Sequence, residues 1–282
     1  MYRLLLKIFV YPLSLLPMWW LYFCSDINYF LVYKVFKYRR KVVFRNLSRS
    51  FPQKNDNEIK QLAKGFYKHF CDIFVEMLKF YSIRRKNLQK RMSFTNIELL
   101  DDLYAAGKNV ILMMGHYGNW ELSILPTCVK APVGAVYSPL ENKLSDLLMK
   151  QMRTRFGVEM FPMKRIGKHI LTHSTDARIY MFVADQSPSA QTKFKVEFLN
   201  QPTLFFTGAE KLAKVTQSAM VFLQTEKLRR GYYRFSFVTI TKNAAEQPEG
   251  FATARFAELL EENINQQPTY WLWSHKRWKR KA

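Results

Sequence analysis

The feature that most constrains the fold is a series of short apolar runs separated by segments of helical periodicity. The runs cover residues 109–114, 133–137, 179–184, 220–223 and 233–240. Such short runs suit strands that are buried on both faces. Helical spacing recurs between them, at about 119–129, 142–156, 166–176 and 207–217. The alternation predicts an α/β fold with a mainly parallel central sheet flanked by helices, in which the last run also fits an antiparallel strand.

The N-terminus carries a long apolar stretch of a different kind. Residues 8–24 contain no charge, although Pro12 and Pro17 interrupt them, and a second apolar patch covers 27–36. A spanning helix needs about 20 apolar residues, and a secretory signal would have a shorter apolar core with a small-residue cleavage site. We therefore expect residues 1–36 to form an N-terminal hydrophobic membrane-anchor helix that is not cleaved. The sequence leaves open whether it spans the bilayer or lies in the interface.

The rest of the chain divides into a connector and one domain. Residues 37–55 form a basic connector that begins with Lys37-Tyr-Arg-Arg-Lys41, and such residues favour the cytoplasmic side of a membrane. We expect residues 56–282 to form one folded domain. Its first segment, 56–82, has an apolar stripe at helical spacing, which we interpret as core packing rather than a membrane-facing surface. We expect Asp56 to cap this helix.

The charge balance restricts the partners. The chain has 44 Lys and Arg against 22 Asp and Glu, a net charge of +22. An excess of this size indicates an anionic partner: nucleic acid, an anionic membrane, or acidic substrates and carriers. No segment resembles a nucleic-acid module. Most tryptophans lie near the two ends, beside basic residues, as is typical of proteins at a membrane interface.

The three cysteines give no sign of a disulfide framework or a metal site. Cys24, Cys71 and Cys128 are widely spaced and form no CxxC pair, so we expect them to be reduced packing residues. The chain has no HExxH motif and no Cys–His cluster, which argues against a zinc hydrolase. GxSxG and Walker A motifs are also absent from the sequence. His169 and His173 stand four apart, but without an evident third ligand we assign them to a helix surface.

Ionisable side chains follow two of the apolar runs. Gly115-His-Tyr-Gly-Asn-Trp-Glu121 comes directly after the first run, and Asp185-Gln186 follows the third. In open α/β sheets, ligands bind beyond the carboxyl ends of the strands. The two segments therefore mark the expected catalytic edge.

His116 and Glu121 suggest a specific chemistry. If a helix begins near Asn119, Glu121 lies in its first turn and can reach back to the imidazole. A carboxylate there would fix the tautomer of His116 and stabilise its protonated form. Such a dyad suits deprotonation of a hydroxyl, which would then attack an activated acyl carbonyl.

The 115–121 segment also resembles the HxxxxD/E motif of the bacterial lipid A biosynthesis (late) acyltransferases, within the lysophospholipid acyltransferase superfamily. The resemblance extends over nearly the whole chain. Four further segments carry it in the family's order: Tyr38–Val43 with Asn46-Leu47 and Ser50-Phe-Pro52, Ala184-Asp-Gln186, Phe206–Ala213, and the Trp- and Arg-rich Tyr270–Trp278.

The resemblance implies roles for individual residues. His116 would be the general base and Glu121 its catalytic partner. Arg153 and Asp185 match substrate-binding positions, although Arg155 stands close enough to Arg153 to compete for its assignment. The donor would be an acyl thioester of acyl carrier protein, and the acceptor a hydroxyl of a lipid A precursor, an anionic lipid. Neither a metal nor another cofactor is implied. The expected location is the cell inner membrane, with the domain on its cytoplasmic face.

Two alternatives stay open. Ser138 follows Tyr137 where many members of the family carry arginine, so an aminolipid or another glycolipid could be the acceptor. A non-catalytic basic protein that binds membranes or nucleic acid is the second alternative. Lipid binding without acyl transfer would distinguish it from the enzymes.

Overall fold

The computed structural model describes residues 6–123, 129–173, 176–189 and 191–280. The strands are β1 (Met92–Thr95), β2 (Val110–Met114), β3 (Val133–Tyr137), β4 (Glu159–Pro162), β5 (Ile179–Val183), β6 (Lys195–Phe198), β7 (Gln201–Leu204), β8 (Ala219–Arg229) and β9 (Tyr232–Thr241). Seven of them form a central sheet with the order β1-β9-β8-β2-β5-β3-β4, and a separate two-stranded sheet pairs β6 with β7.

The central sheet confirms the predicted α/β class. Adjacent strands in this sheet are parallel, except that β8 and β9 form an antiparallel hairpin. All five apolar runs are strands. The sequence did not predict the edge strands β1 and β4 or the β6–β7 hairpin. These strands are short and partly exposed, so they lack a continuous apolar run.

Helices surround the sheet. They are α1 (Tyr11–Leu15), α2 (Met18–Tyr29), α3 (Arg40–Ser50), α4 (Asp56–Lys79), α5 (Arg85–Gln89), α6 (Glu98–Ala105), α7 (Trp120–Ser123), α8 (Lys143–Thr154), α9 (Met163–Thr172), α10 (Gly208–Val215) and α11 (Phe251–Gln266). The predicted helix at 119–129 is seen as α7, and its remainder lies partly outside the described residues. The helix predicted at 166–176 begins earlier and ends earlier, as α9.

The long helix α4 begins with a different cap from the one expected. Asn55, rather than Asp56, is the capping residue, because its extended backbone lets its side chain accept from the amides of Asn57 and Glu58. Glu58 accepts a hydrogen bond from the Asn55 amide in return, which completes a capping box. The helix ends at Lys79, three residues before the predicted boundary of 82.

The core lies on both faces of the sheet. Alternate residues of β2 point to opposite sides. Ile111 and Met113 pack in one apolar cluster, whereas Leu112 and Met114 pack in the other. Burial on both faces explains why β2 reads as a continuous apolar run.

The N-terminal segment is not one straight helix. Pro17 precedes α2 in an extended conformation. In the described part of the chain no single helix is long and apolar enough to cross a bilayer. Taken together, the segments Ile8–Leu15 and Met18–Val35 are long and apolar enough for a membrane span, but the chain bends by 113° between them. The break follows from proline, which has no amide hydrogen to continue a helix.

Helix α2 has two unlike faces. Leu21 is buried, and Ser25 donates a hydrogen bond of 2.8 Å to Asp72 of α4. The opposite face exposes Trp19 and Phe23, which are 69% and 52% exposed, and Phe30, which directly follows α2, is 57% exposed. One face is therefore docked on the domain while the other presents large apolar side chains to the surroundings.

Candidate active site

The register of two neighbouring strands brings the central residues together. In the parallel pair β2–β5, Met114 lies opposite Val183. The Ala184 amide continues the ladder with a 3.0 Å bond to the Met114 carbonyl. His116 lies two residues after Met114, and Asp185 lies two residues after Val183. The expectation that both segments meet at the carboxyl edge of the sheet is confirmed.

Asp185 is held by three hydrogen-bond donors. Its Oδ1 lies 2.5 Å from His116 Nδ1, and its Oδ2 accepts from the His116 amide at 2.8 Å and from Trp271 Nε1 at 2.7 Å. Burial of Asp185, which is only 2% exposed, would raise the pKa of its carboxyl. The opposing effects of the His116 charge and of these hydrogen bonds lower that pKa to about 2. Asp185 is therefore an anion.

The carboxylate determines the tautomer of His116. Because Asp185 accepts from Nδ1–H, the lone pair of the neutral imidazole resides on Nε2. The side-chain nitrogen of Gln186 lies 3.1 Å from that Nε2, and the Trp120 ring packs edge-on at 5.3 Å. Nε2 is thus the nitrogen available to take a proton.

Glu121 forms neither a hydrogen bond nor an ion pair with His116, which corrects the expected pairing. Its carboxylate instead forms a two-pronged ion pair with Arg153, with distances of 2.9 Å to Nε and 2.7 Å to Nη2. Glu121 is only 2% exposed. The turn 115–121 directs the two side chains to different neighbours, and the acid that reaches the imidazole comes from the end of β5.

Arg153 and Arg155 occupy separate environments. Arg153, near the end of α8, lines the same cavity as His116. Arg155 donates from one nitrogen to the carbonyls of Phe80 and Ile83, both at 2.7 Å. Of the two, only Arg153 is placed where a substrate could meet it.

The cavity beside His116 has a volume of about 260 Å³. Part of its wall is apolar and rich in thioethers, with Met149, Met160, Met163 and Met181, and the charged Asp146 and Lys150 also line it. Methionine side chains are flexible and adapt to apolar ligands of different shape. The cavity thus joins a polar end, His116 with Arg153, to an apolar wall.

Two glycines permit the turn that carries His116. Gly118 has a φ of +59°, and a Cβ there would come within 2.6 Å of Thr225. A Cβ on Gly115 would approach Leu260 to 2.6 Å and an Asp185 carboxylate oxygen to 3.2 Å. Side chains at either position would displace the turn.

The C-terminal segment pairs with the same turn. The Gly118 amide donates to the Tyr270 carbonyl at 3.0 Å, and the Leu272 amide donates to the His116 carbonyl at 3.1 Å. These bonds form an isolated antiparallel bridge between Tyr117 and Trp271. The Trp-rich signature thus contributes backbone and the Trp271 indole to the site.

Buried polar groups support the turn from below. Asn119 accepts from the Leu122 amide at 2.9 Å, which caps the short helix α7, and donates to Glu76 of α4 at 2.6 Å. His69 Nε2 lies 3.1 Å from the Gly118 carbonyl. A carbonyl only accepts, so Nε2 carries the hydrogen and the opposite nitrogen accepts from Lys227 at 3.1 Å. Burial and the Lys227 charge lower the pKa of His69 well below its ordinary value.

A second neutral histidine adjoins the site. His275 Nε2 accepts from the Ser187 amide at 3.2 Å, which requires that nitrogen to be unprotonated. Burial lowers the pKa of His275 to about 4, although the charge of Asp185 opposes the shift.

The four site residues predicted from the sequence, His116, Glu121, Arg153 and Asp185, lie together at one edge of the sheet. Their predicted roles as catalytic and substrate-binding groups remain predictions. Sequence reasoning missed the support from Trp271, His69 and Glu76. Trp271 lies in the C-terminal signature, whereas the two residues on α4 are hidden in an apolar helical stripe. Over the described ranges, no group of three or more His, Cys, Asp or Glu residues is arranged to hold a metal ion.

Comparisons with known proteins agree with this architecture. A family model described as bacterial lipid A biosynthesis acyltransferase matches residues 2–280. A lipid A biosynthesis acyltransferase of Haemophilus influenzae is 24% identical over 232 residues, covering 81% of this chain and 72% of the relative. The lipid A biosynthesis lauroyltransferase of Escherichia coli is 23% identical, over 88% of this chain and 82% of its own. The lipid A biosynthesis palmitoleoyltransferase of the same organism is 21% identical, over 86% of this chain and 79% of its own.

These matches confirm the resemblance carried by the five sequence segments. With a family model covering nearly all of its length, the chain belongs to the bacterial lipid A biosynthesis acyltransferase family.

Proposed function

We propose that this acyltransferase moves a fatty acyl chain from acyl carrier protein to a hydroxyl of a lipid A precursor, with His116 as general base. The observation that carries the proposal is the His116–Asp185 pair, 2.5 Å apart, with His116 lining a cavity that has a methionine-rich wall. The pair leaves Nε2 unprotonated, and a substrate hydroxyl that replaces the Gln186 amide there can give up its proton to it.

The reaction then proceeds by direct transfer. Nε2 of His116 takes the hydroxyl proton while the oxygen attacks the thioester carbonyl, forming a C–O bond and a tetrahedral oxyanion. Collapse of that intermediate breaks the C–S bond. The carrier's thiolate leaves and takes the proton back from the imidazolium. Asp185 stabilises the imidazolium between the two steps without changing its own charge.

Arg153 is suited to the negative charge that develops. Glu121 holds its guanidinium through two hydrogen bonds, so the side chain lies pre-oriented beside the cavity. Fixed cationic donors stabilise an oxyanion without reorganising during the reaction. The methionine wall provides the apolar surface for the acyl chain.

The partners follow from charge and exposure. The net charge of +22 suits an acidic carrier protein and an anionic lipid better than a neutral one. The exposed Trp19, Phe23 and Phe30 suit the interface of the inner membrane, on its cytoplasmic face. The sharp bend before α2 favours an anchor that lies in that interface over a straight span.

The test is acyl transfer by the detergent-solubilised protein, with labelled acyl carrier protein as donor and a lipid A precursor as acceptor. His116→Ala is measured alongside, with circular dichroism to check that it is folded. Transfer by the parent and none by the variant supports the function and the base together. Equal transfer by both would show that His116 is not the base.

A second acceptor is favoured by one position in the cavity. Ser138 lines it near His116 and brings no positive charge there. An acceptor with fewer phosphates, such as an aminolipid or another glycolipid, fits that loss of charge. The same assay with these lipids decides between them: preference for an aminolipid over the lipid A precursor would replace the first acceptor and leave the mechanism unchanged.

A further inference from the structure

A second cleft lies on the other side of the turn that carries His116. Its volume is about 750 Å³, larger than the cavity at the candidate active site. Four parts of the fold converge on it: helix α2, helix α4, the end of the β8–β9 hairpin and the C-terminal segment at Thr269 and Tyr270. His69 and Lys227, which support that turn, form part of the wall of the cleft, but no role assigned above uses the space itself.

The cleft is lined by more cations than anions. Four basic residues contribute to it, Lys68, Lys227, Arg229 and Arg230, against the carboxylates of Asp26 and Asp72.

Arg230 alone engages both carboxylates. It lies 2.6 Å from Asp72 and 2.7 Å from Asp26. Lys227 stands farther from Asp72, at 3.7 Å. Arg230 and Lys227 therefore balance the charges of the two carboxylates, Asp26 and Asp72.

Two cations are left without an anion. Over the described residues, neither Lys68 nor Arg229 has a carboxylate within ion-pair distance. Their charged ends rest instead on aromatic rings, Lys68 5.6 Å from the Tyr29 centroid and Arg229 3.9 Å from the Tyr232 centroid. Such stacking holds a cation in place but leaves its charge uncompensated.

The rim of the cleft adjoins the exposed apolar face of α2. Asp26 and Tyr29 line the cleft, while Phe23 and Phe30, close by along the same stretch of chain, are exposed. At about 100° per residue, Asp26 falls at the edge of the α2 face that carries Trp19 and Phe23. A cationic hollow beside an apolar stripe matches a molecule with an anionic head and apolar tails.

We propose that this cleft binds the phosphate group of an anionic lipid, with Lys68 and Arg229 as the cations that recognise it. The proposal deepens the proposed function, on which it rests, since it gives a site to the anionic lipid partner. Phosphate offers several acceptor oxygens, which suits cations that approach from two different elements. The ligand chemistry could come from a headgroup in a bilayer or from free phosphate.

The experiment measures binding to phosphatidylcholine vesicles with and without phosphatidic acid, by flotation of the full chain at fixed ionic strength. The variant is Lys68→Ala/Arg229→Ala. The matched control is Lys64→Ala/Arg234→Ala, which removes two exposed cations from the same helix and hairpin without touching the cleft. Thermal unfolding of both variants checks that they are folded. Inorganic phosphate, added against a chloride salt of equal ionic strength, is the competitor.

The cleft variant should lose about tenfold or more in affinity for the anionic vesicles, whereas the control should stay close to the parent. Competition by inorganic phosphate would assign recognition to the phosphate group alone, and no competition would assign it to a headgroup within a bilayer. Equal losses in both variants, or no loss in either, would overturn the proposal. Because the readout is binding, its failure is separate from any failure of acyl transfer.

Discussion

His116 Nδ1 and Asp185 Oδ1 lie 2.5 Å apart although 69 residues separate them in the chain. The contact exists because β2 and β5 are neighbours in register and each continues past its last paired residue. It makes Asp185, rather than Glu121, the acid that orients the imidazole. The effect of this pairing on activity can be measured.

Asp185→Asn should lower kcat by about 10² to 10⁴-fold, because an amide nitrogen facing Nδ1 favours the tautomer whose Nε2 already carries a hydrogen. The assay is acyl transfer with KM and kcat measured separately. Asp101→Asn, a carboxyl that pairs with Lys130 away from the site, is the control. A kcat for Asp185→Asn equal to that of the control would contradict the assignment.

Arg153→Ala should destabilise the fold by about 3 to 5 kcal/mol, because it leaves the buried Glu121 carboxylate without its partner. Adding Glu121→Gln should restore part of the loss, since the unpaired charge is then removed. Chemical denaturation measures both variants. Lys211→Ala, from an exposed pair with Glu249, should change the free energy of unfolding little. Similar values for Arg153→Ala and Lys211→Ala would argue against a buried ion pair.

Asn119→Ala should lower kcat by roughly 10-fold to 10²-fold with a smaller effect on KM, because the turn that carries His116 loses its cap and its bond to Glu76. Glu76→Ala should have a similar effect. Burial raises the pKa of Glu76, so the neutral Glu76→Gln should recover much of the activity.

A double-mutant cycle separates this positioning role from general destabilisation. Asn119 and Glu76 share one hydrogen bond, so the loss of kcat in the double alanine variant should be smaller than the product of the two single losses. Effects on kcat that multiply would show that the two residues act independently.

The free energy of unfolding should fall as pH drops from about 6.5 to 4, because the pKa of His275 is lowered to about 4 in the folded state. In that window the unfolded chain binds the proton and the folded chain does not, so stability rises with pH. The buried His69, whose pKa is also lowered, acts in the same direction. His275→Gln should therefore reduce the slope of stability against pH. An unchanged slope would mean that His275 is protonated in the folded state.

The parallel strands could be predicted from the sequence, whereas the edge strands could not. Burial on both faces gives parallel strands a continuous apolar signal, so local composition is enough to locate β2, β3 and β5. Because chemistry in such sheets gathers at the carboxyl ends, the same runs indicated where His116 and Asp185 would lie. Short, half-polar edge strands such as β1 carry no comparable signal.

What the sequence by itself determined was the class of fold, the edge that carries the site and the set of ionisable residues at it. What only the tertiary structure decided was which of those residues pair. Glu121 stands five residues from His116, which made it the natural partner, but the glycine turn and the position of α8 direct it to Arg153. Strand order places Asp185 beside the imidazole, and strand order depends on packing between distant segments, which local periodicity does not record.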